Sequence, residues 1–261
     1  MTTQIASTLS RVSIERRTRV AELRLNNPPL NVIDVAMIEQ LSRQLAALEA
    51  DPGLSVITIS GAGNSFSAGV DVAAHSPEQV EEMLVTFHGV IRALIRSQKV
   101  TIAVIRGSCL GGAAEVALAC DMAYTAESAT WGFPEIKLAC YPPVAATALA
   151  FLVGQKRAAD LILTGRTISG REAAEMGLAN RAVPPPQLER SVAECLDRLT
   201  QLSSAALAMA KKAIFPWDSM HFDKGLARAE KIYLEELRKT EDAQEGVEAF
   251  LQKREPRWKG R

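Results

Sequence analysis

The sequence predicts an α/β protein: strands alternating with helices through its first two-thirds, then a helical remainder. Three observations carry this. Leu54–Ser60 (LSVITIS) and Val100–Arg106 (VTIAVIR) are short β-branched runs of the kind that form buried strands. Pro77–Ser97, between them, is amphipathic at helical spacing. From Ala145 onward the pattern is mostly helical, with breaks at Gly154, Gly165, Gly177 and Pro184-Pro-Pro186.

The elements follow in order. Arg19–Asn26 (RVAELRLN) alternates apolar and polar residues from Ala21 to Leu25, as a half-buried strand does, and Asn26-Asn-Pro-Pro29 ends it. Asp34 is placed to cap a helix whose apolar positions are Met37, Leu41, Leu45 and Leu48. The strand at Leu54–Ser60 stops at Gly61-Ala-Gly63, and a second turn, Phe66-Ser-Ala-Gly69, follows. After Val100–Arg106 and Gly107 comes Ser108–Asp121 (SCLGGAAEVALACD), read as a helix opened by paired glycines, and then a short strand at Met122–Thr125. Beyond about residue 200, Phe222, Leu226, Ala229, Tyr233 and Leu237 recur at three or four, with Glu230, Glu235 and Lys239 off the stripe. That face packs either on its own core or on a neighbouring subunit. The chain is therefore divided into a core over 1–200 and a C-terminal helical region over 201–261, the latter expected to serve oligomerisation.

Composition narrows the function. The chain has 261 residues, 48% hydrophobic and 23% charged, enough to bury a substantial core. Lys+Arg and Asp+Glu are both 30, a balance that argues against nucleic acid or an anionic membrane as partner. Cys109, Cys120, Cys140 and Cys195 form no CxxC or His/Cys cluster, so reduced thiols are expected and no metal. His75, His88 and His221 are too dispersed for a metal site. No window approaches the roughly 20 apolar residues of a membrane span and the N-terminus lacks a signal-peptide pattern, so a cytoplasmic protein is expected.

The residues that carry chemistry cluster at the glycine turns. A strand, then Gly111-Gly112, then a helix presents unpaired N–H groups at a helix N-terminus, where the macrodipole adds positive character. Gly112 admits a ligand or another backbone without a Cβ in the way. Phe66-Ser-Ala-Gly-Val-Asp71 is a second such turn, with the Val70 N–H free to point outward. Two N–H groups converging on one carbonyl oxygen stabilise an enolate-like transition state, although either turn taken singly is common in α/β folds. Glu115, three residues after Gly112, has an ordinary explanation in helix-dipole complementation. Its neighbours Ala113, Ala114, Val116 and Ala117 fit a buried carboxylate better, and that needs a partner or a function. Glu135, in Gly132-Phe-Pro-Glu-Ile-Lys137, is a second acid beside apolar neighbours, or simply a helix start. Two carboxylates in one pocket supply both acid and base for adding water across a double bond.

In combination FSAGVD, RGSCLGGAAEVALACD and ATWGFPEIKL, with TGRTISGREAAEMGLANRAV (164–183) and EGVEAFLQKREPRW (245–258), resemble the crotonase (enoyl-CoA hydratase/isomerase) superfamily over most of the chain. The resemblance implies a crotonase-type ββα spiral core that binds an acyl-CoA, and trimers or dimers of trimers. It maps the two oxyanion-hole donors to Val70 and Gly112 and the catalytic glutamates to Glu115 and Glu135. Ala68, Gly69, Asp71, Gly111, Trp131, Tyr141 and Pro142 join them as substrate contacts, with Phe133 a further candidate for the acyl pocket; the alternative for Trp131 and Phe133 is core, since aromatics beside a short strand commonly are, and for Asp71 it is a cap on the next segment. Lys253 and Arg254 either meet the CoA phosphates, within the chain or across a subunit boundary, or are simply solvated, as basic residues near a C-terminus commonly are. No cofactor is implied, because coenzyme A arrives on the substrate.

One departure stands out. Many relatives run from the second glutamate into a glycine-rich loop, whereas here Ala139-Cys-Tyr-Pro-Pro-Val-Ala-Ala-Thr147 replaces those glycines. The Pro-Pro step stiffens the segment and removes two N–H donors, so the acyl pocket is expected to differ from that of a straight-chain hydratase. With Asn27–Asp34 (NPPLNVID) and Phe215–Phe222 (FPWDSMHF), this loop looks like the branch of the family that hydrates cyclohexa-1,5-diene-1-carbonyl-CoA in aromatic compound degradation. Four other readings use the same residues: a general 2-enoyl-CoA hydratase, an isomerase working through the same dienolate, a thioester hydrolase, and a non-catalytic acyl-CoA-binding relative.

Overall fold

The computed structural model describes residues 10–76, 79–214 and 220–261. Most of the opening segment, and residues 215–219 of the FPWDSMHF stretch, lie outside the described residues.

The chain winds strands into two sheets. The larger runs β1 (Val12–Arg17), β2 (Val20–Leu25), β3 (Val56–Gly61), β4 (Val100–Ile105), β6 (Met122–Ala126), β9 (Arg181–Val183), with only β1–β2 antiparallel. The smaller runs β5 (Ser108–Leu110), β7 (Thr130–Gly132), β8 (Thr167–Ser169). In the central passes one strand goes to the large sheet and one to the small sheet, and a helix follows. β4 and β5 lead to α3 (Gly112–Ala119), and β6 and β7 lead through a 3-10 turn at Pro134–Leu138 to α4 (Pro143–Val153); α5 (Gln155–Thr164) and α6 (Gly170–Met176) then flank β8. After β3, Ser67 makes an isolated parallel bridge to Cys109, adding an earlier pass to the small sheet. This is the ββα spiral implied by the resemblance, and the stacking brings the turns after β3 and β5 to adjacent levels.

Helices cover both faces of the large sheet. Below it, Val20, Val56, Val100 and Ile102 meet Leu196 and Leu199 of α7 (Leu188–Thr200) and Leu207 of α8 (Ser204–Ile214). Above it lies the main core, into which α1 (Val35–Glu49) buries Met37, Leu41, Leu45 and Leu48, the periodic set read from sequence. Asp34 caps that helix, accepting from the Met37 N–H at 2.8 Å. α2 (Val80–Arg96) buries Met83, Leu84, Phe87, Val90, Ile91 and Leu94.

The tail stripe packs on its own core. α9 (Met220–Lys231) buries Phe222, Leu226 and Ala229 and lies on α4 so closely that a Cβ on Gly225 would come within 2.7 Å of Thr147 Cγ2. A π turn at Ile232–Glu236 then carries Tyr233 inward, and α10 (Glu241–Leu251) lies against the Pro134–Leu138 turn, where a Cβ on Gly246 would meet the Leu138 carbonyl oxygen at 2.3 Å. The tail therefore forms one wall above the end of the small sheet. All four cysteines are free, and no described helix is long and apolar enough to cross a membrane.

Candidate active site

The spiral sets the turns after β3 and β5 side by side, and in each the hydrogen bonding leaves an N–H group at the cavity without an acceptor. Ile33 bridges Val70: its N–H donates to the Gly69 carbonyl at 2.9 Å and its carbonyl accepts from the Asp71 N–H at 3.0 Å. Both groups of Ile33 are thus spent on Val70's neighbours, so Val70's own N–H points to the opposite side. Ala68 and Gly69 spend theirs on the Leu30 carbonyl (2.9 Å) and Ser67 Oγ (3.0 Å). Across from them the Gly111 N–H donates to the Gly132 carbonyl at 2.9 Å, while Gly112 opens α3 and has no helical acceptor. Among the described residues, Val70 and Gly112 are left with unpaired N–H groups in the wall of one cavity.

The close approach depends on glycine. Gly69 has φ +107°, and a Cβ there would sit 2.8 Å from the Leu110 carbonyl oxygen. At Gly112 a Cβ would lie 2.6 Å from Val70 Cγ2 and 3.1 Å from Phe87 Cζ. Gly111, at φ +55°, would press a Cβ to 2.7 Å from Glu135 Oε1.

The two carboxylates face this cavity from separate elements. Glu115, in the first turn of α3, is 3% exposed and accepts from the Ala145 N–H at 3.0 Å. Ala145 lies in the first turn of α4, which Pro142 and Pro143 open. Proline costs nothing at that position, because the first helical N–H groups have no intrahelical acceptor. The Pro-Pro step thus aims the N-terminal amides of α4 at Glu115. Glu135, in the 3-10 turn, keeps a buried Oε2 without a hydrogen-bond partner among the described residues.

Burial raises the proton affinity of both carboxylates. Glu115 is pushed up by desolvation, against which His88 and the Val144 and Ala145 amides act. Glu135 is pushed up to about 8 by desolvation and then by the charge of Glu115. Two carboxylates whose proton affinities burial raises, set in one cavity, can hold one proton between them and so supply an acid and a base.

The cavity holds about 90 Å³ and shares His75, Cys140 and Tyr233 with a neighbouring one of about 330 Å³. Of the residues singled out in the sequence, Ala68, Gly69, Val70, Gly111, Gly112, Glu115, Glu135, Tyr141 and Pro142 line the smaller cavity together. The others lie elsewhere. Trp131 is fully buried in the small sheet and donates from Nε1 to Thr125 Oγ1 at 3.1 Å; it is core and not a substrate contact, as is Phe133 beside it. Asp71 caps the 3-10 turn at Val72–His75, accepting from the Ala73 N–H. Arg254 forms a two-pronged pair with Glu245 at 2.6 and 2.9 Å, and neither it nor exposed Lys253 lines the cavity. Sequence reasoning also missed three walls: Leu84 and Phe87 of α2, His75, and Tyr233 of the tail. Tyr233 stands edge-on to Tyr141 at 5.4 Å between ring centres, and the Tyr141 hydroxyl donates to the Ala229 carbonyl. Its signal was the apolar stripe, which marks burial and not a site. Among the described residues no group of three or more His, Cys, Asp or Glu is placed to hold a metal ion.

Comparison with known proteins places this geometry. The enoyl-CoA hydratase/isomerase family model matches residues 15–261. The chain belongs to that family. It is 35% identical over 257 residues to the cyclohexa-1,5-dienecarbonyl-CoA hydratase of Thauera aromatica, covering 98% of this chain and 99% of that one. It is 32% identical over 256 residues to the 2,3-dehydroadipyl-CoA hydratase of Escherichia coli K12, covering 97% and 100%. An enoyl-CoA hydratase/isomerase structure from Xanthobacter autotrophicus Py2 superposes with a TM-score of 0.86 at 30% identity, covering 93% of each chain. An enoyl-CoA hydratase structure from Mycobacterium avium subsp. paratuberculosis K-10 gives 0.86 at 27%, covering 95% and 98%. The chain is an enoyl-CoA hydratase-type enzyme with a crotonase fold.

The Gly111 geometry carries a prediction for such an enzyme. Gly111→Ala forces a side chain into a left-handed position and displaces the Glu135 carboxyl. Moving an acid by about 1 Å costs on the order of 100-fold in rate. Steady-state kinetics should show that loss mainly in kcat, and a rate within a few-fold of wild type would disconnect Glu135 from the chemistry.

Proposed function

We propose that the enzyme hydrates an α,β-unsaturated acyl-CoA, and that its substrate is the cyclic dienoyl thioester cyclohexa-1,5-diene-1-carbonyl-CoA. One observation carries the reaction type: Glu115 and Glu135, both raised in proton affinity by desolvation, share a cavity with the unspent backbone N–H groups of Val70 and Gly112. In this reading the thioester oxygen takes the N–H groups of Val70 and Gly112, which form the oxyanion hole. The ionised glutamate takes a proton from water as its oxygen bonds to the carbon β to the thioester. The displaced π electrons move through the α-carbon onto the held oxygen, giving a dienolate. The protonated glutamate then delivers its proton to ring carbon, and one double bond of the ring remains. The partnerless Glu135 Oε2 is where water or a substrate atom makes the missing hydrogen bond. No separate cofactor enters this chemistry, since coenzyme A is part of the substrate.

The cyclic substrate rests on the Thauera relative and on the cavity. Tyr141, Pro142 and Tyr233 give it stiff, flat walls suited to a ring, and the adjoining space past Cys140 and Tyr233 offers room beyond it. The similar identity to the Escherichia coli relative keeps a second reading, a hydratase of open-chain enoyl thioesters. The family's trimer or dimer of trimers is the assembly proposed with either.

The test incubates the purified enzyme with cyclohexa-1,5-diene-1-carbonyl-CoA and with crotonyl-CoA, reading product as a mass gain of one water. A strong preference for the diene is the expected result. The reverse preference would select the open-chain reading, and no hydration of either would refute the paired-carboxylate reaction.

A further inference from the structure

The two unspent N–H groups hang from different parts of the chain. Gly112 follows β5 and takes its place from the small sheet. The segment that carries Val70 is tied to β5 only as far as Ser67, whose N–H donates to the Ser108 carbonyl at 2.8 Å and whose carbonyl accepts from the Leu110 N–H at 3.2 Å. Beyond Ser67 it turns to the loop between β2 and α1. There the Ala68 N–H reaches the Leu30 carbonyl, and Ile33 brackets Val70 through its bonds to Gly69 and Asp71. The separation of the two donors is thus set by where residues 30–33 stand.

Asn31 fixes that loop in place. It is fully buried, and its side-chain amide is spent at both ends. Nδ2 donates to the Ala62 carbonyl and to the Ser65 carbonyl, both at 2.8 Å, and Oδ1 accepts from the Asn27 N–H at 3.0 Å. Among the described residues, the two Nδ2 bonds are the only side-chain hydrogen bonds from residues 27–33 to residues 62–71. The residue type fits this task. Asn31 has φ +50°, a left-handed backbone that asparagine tolerates better than most side chains. Glycine would suit that backbone and make none of the three bonds. Aspartate, when ionised, only accepts, and would set an oxygen against two carbonyls. An asparagine that merely shaped its own turn would need the Asn27 contact alone. It would not send both amide hydrogens across to the turn after β3.

We propose that Asn31 is a positioning residue for the oxyanion hole. It pins the β2–α1 loop to the turn after β3, so that Leu30 and Ile33 hold the Val70 N–H in register with that of Gly112. The side chain does not line the cavity and acts only through the loop. The proposal rests on the reading of Val70 and Gly112 as the two donors to the thioester oxygen.

The infrared carbonyl band of a bound, unreactive acyl-CoA tests it. The ligand is cyclohexanecarbonyl-CoA isotopically labelled at the thioester carbon, with butyryl-CoA used if the enzyme prefers open chains. Two converging donors polarise the C=O bond, so in wild type the band should lie below its position in water. Asn31→Gly keeps the left-handed backbone and removes the tie. Its band should move back toward the solution value, and kcat for hydration should fall by about 10- to 100-fold, up to the scale of a 1 Å displacement. KM should stay within a few-fold. Lys211→Met is the control: that lysine pairs with Asp121 beyond the far end of α3, and its loss should lower stability and leave the band in place. A merely structural asparagine would behave as Lys211 does. A folded Asn31→Gly with the wild-type band overturns the proposal, whatever its kcat, and so does an equal shift in both variants. If Asn31→Gly does not fold, Asn27→Ala decides. It removes the bond from Asn27 Nδ2 to the Val32 carbonyl (2.8 Å) that braces the same loop, and should move the band the same way by less. An unmoved band there overturns the proposal. A wild-type enzyme whose bound carbonyl absorbs as it does in water would remove the oxyanion hole itself. Inactivity of the wild type on every enoyl-CoA tried would overturn the hydration reading instead, and the band would still test Asn31.

Discussion

Glu115→Gln is expected to lower hydration by at least about 100-fold, the scale of losing a positioned general base, while the melting temperature stays level or rises. Glutamine has the same shape, and its carbonyl oxygen keeps the hydrogen bond from the Ala145 N–H. What it removes is a carboxylate that burial disfavours. The sign of the pH effect follows from the direction of the shifts. Glu115 and Glu135 both bind a proton more tightly folded than unfolded, so both subtract stability as pH rises above the ordinary carboxylate value. For Glu135 the window runs from 4.5 to about 8. The stability advantage of Glu115→Gln or Glu135→Gln over wild type should therefore be small near pH 5 and larger near pH 8. Steady-state rates and thermal melts at those two pH values check both halves. A Glu115→Gln enzyme keeping more than a tenth of its rate would remove Glu115 from the chemistry. One that loses stability at pH 8 would make the glutamate structural.

Particular residues show how far such a site is legible without coordinates. Glu115 and Glu135 were marked by a local contradiction, a charge among alanines or beside Phe133, and Val70 and Gly112 by glycine turns after strands. Those are short-range signals. The Ala145 amide that holds Glu115 lies thirty positions away on another helix, and the Pro-Pro step that orients it read as a stiffened loop short of donors and not as a helix start aimed at a carboxylate. The long strands at Val56–Gly61 and Val100–Ile105 were plain because β-branched runs of six leave few alternatives. The strands β5, β7, β8 and β9 have three residues each, too few for a period of two to register. That missing sheet explains one error directly: Trp131 was assigned to the substrate because its place at the centre of β7 was invisible. Asp71 and Arg254 were assigned by adjacency to a motif, but short-range partners, the Ala73 N–H and Glu245, engage them first. Tyr233 was legible as one position of an apolar stripe, and only the packing of the tail brings it into the wall of the cavity that holds the carboxylates.

Lys211→Met is expected to do the reverse of Glu115→Gln: remove stability and spare the chemistry. Lys211 on α8 is 6% exposed, and its Nζ donates to the Leu94 carbonyl at 3.2 Å and the Lys99 carbonyl at 3.0 Å while pairing with Asp121 Oδ2 at 2.9 Å. Asp121 follows the end of α3, and Oδ2 also accepts from the Thr101 N–H at 2.7 Å. The cluster thus fastens the far end of the Glu115 helix to β4 and to α8. Removing the lysine leaves the largely buried Asp121 without its cation and with only the Thr101 hydrogen bonds, a loss that for a buried pair reaches about 3–5 kcal/mol. In a chain of this size that lowers the melting temperature by on the order of 10 °C. Burial already raises the proton affinity of Asp121 and Lys211 opposes it, so without the lysine the raised value rises further. Such a group loses stability as pH climbs above its unfolded value, so the deficit of Lys211→Met should be smaller at pH 5 than at pH 8. Adding Asp121→Asn removes the stranded charge and should recover much of the loss, since deleting both partners costs less than stranding one. At 20 °C, where the variant remains folded, its kcat should stay within a few-fold of wild type, because the cluster lies at the opposite end of α3 from Gly112. Equal melting of the single and double variants would show that the lysine acts through its two backbone contacts and not through Asp121. A kcat loss as large as that of Glu115→Gln would mean that the far end of α3 governs the placement of the carboxylate itself.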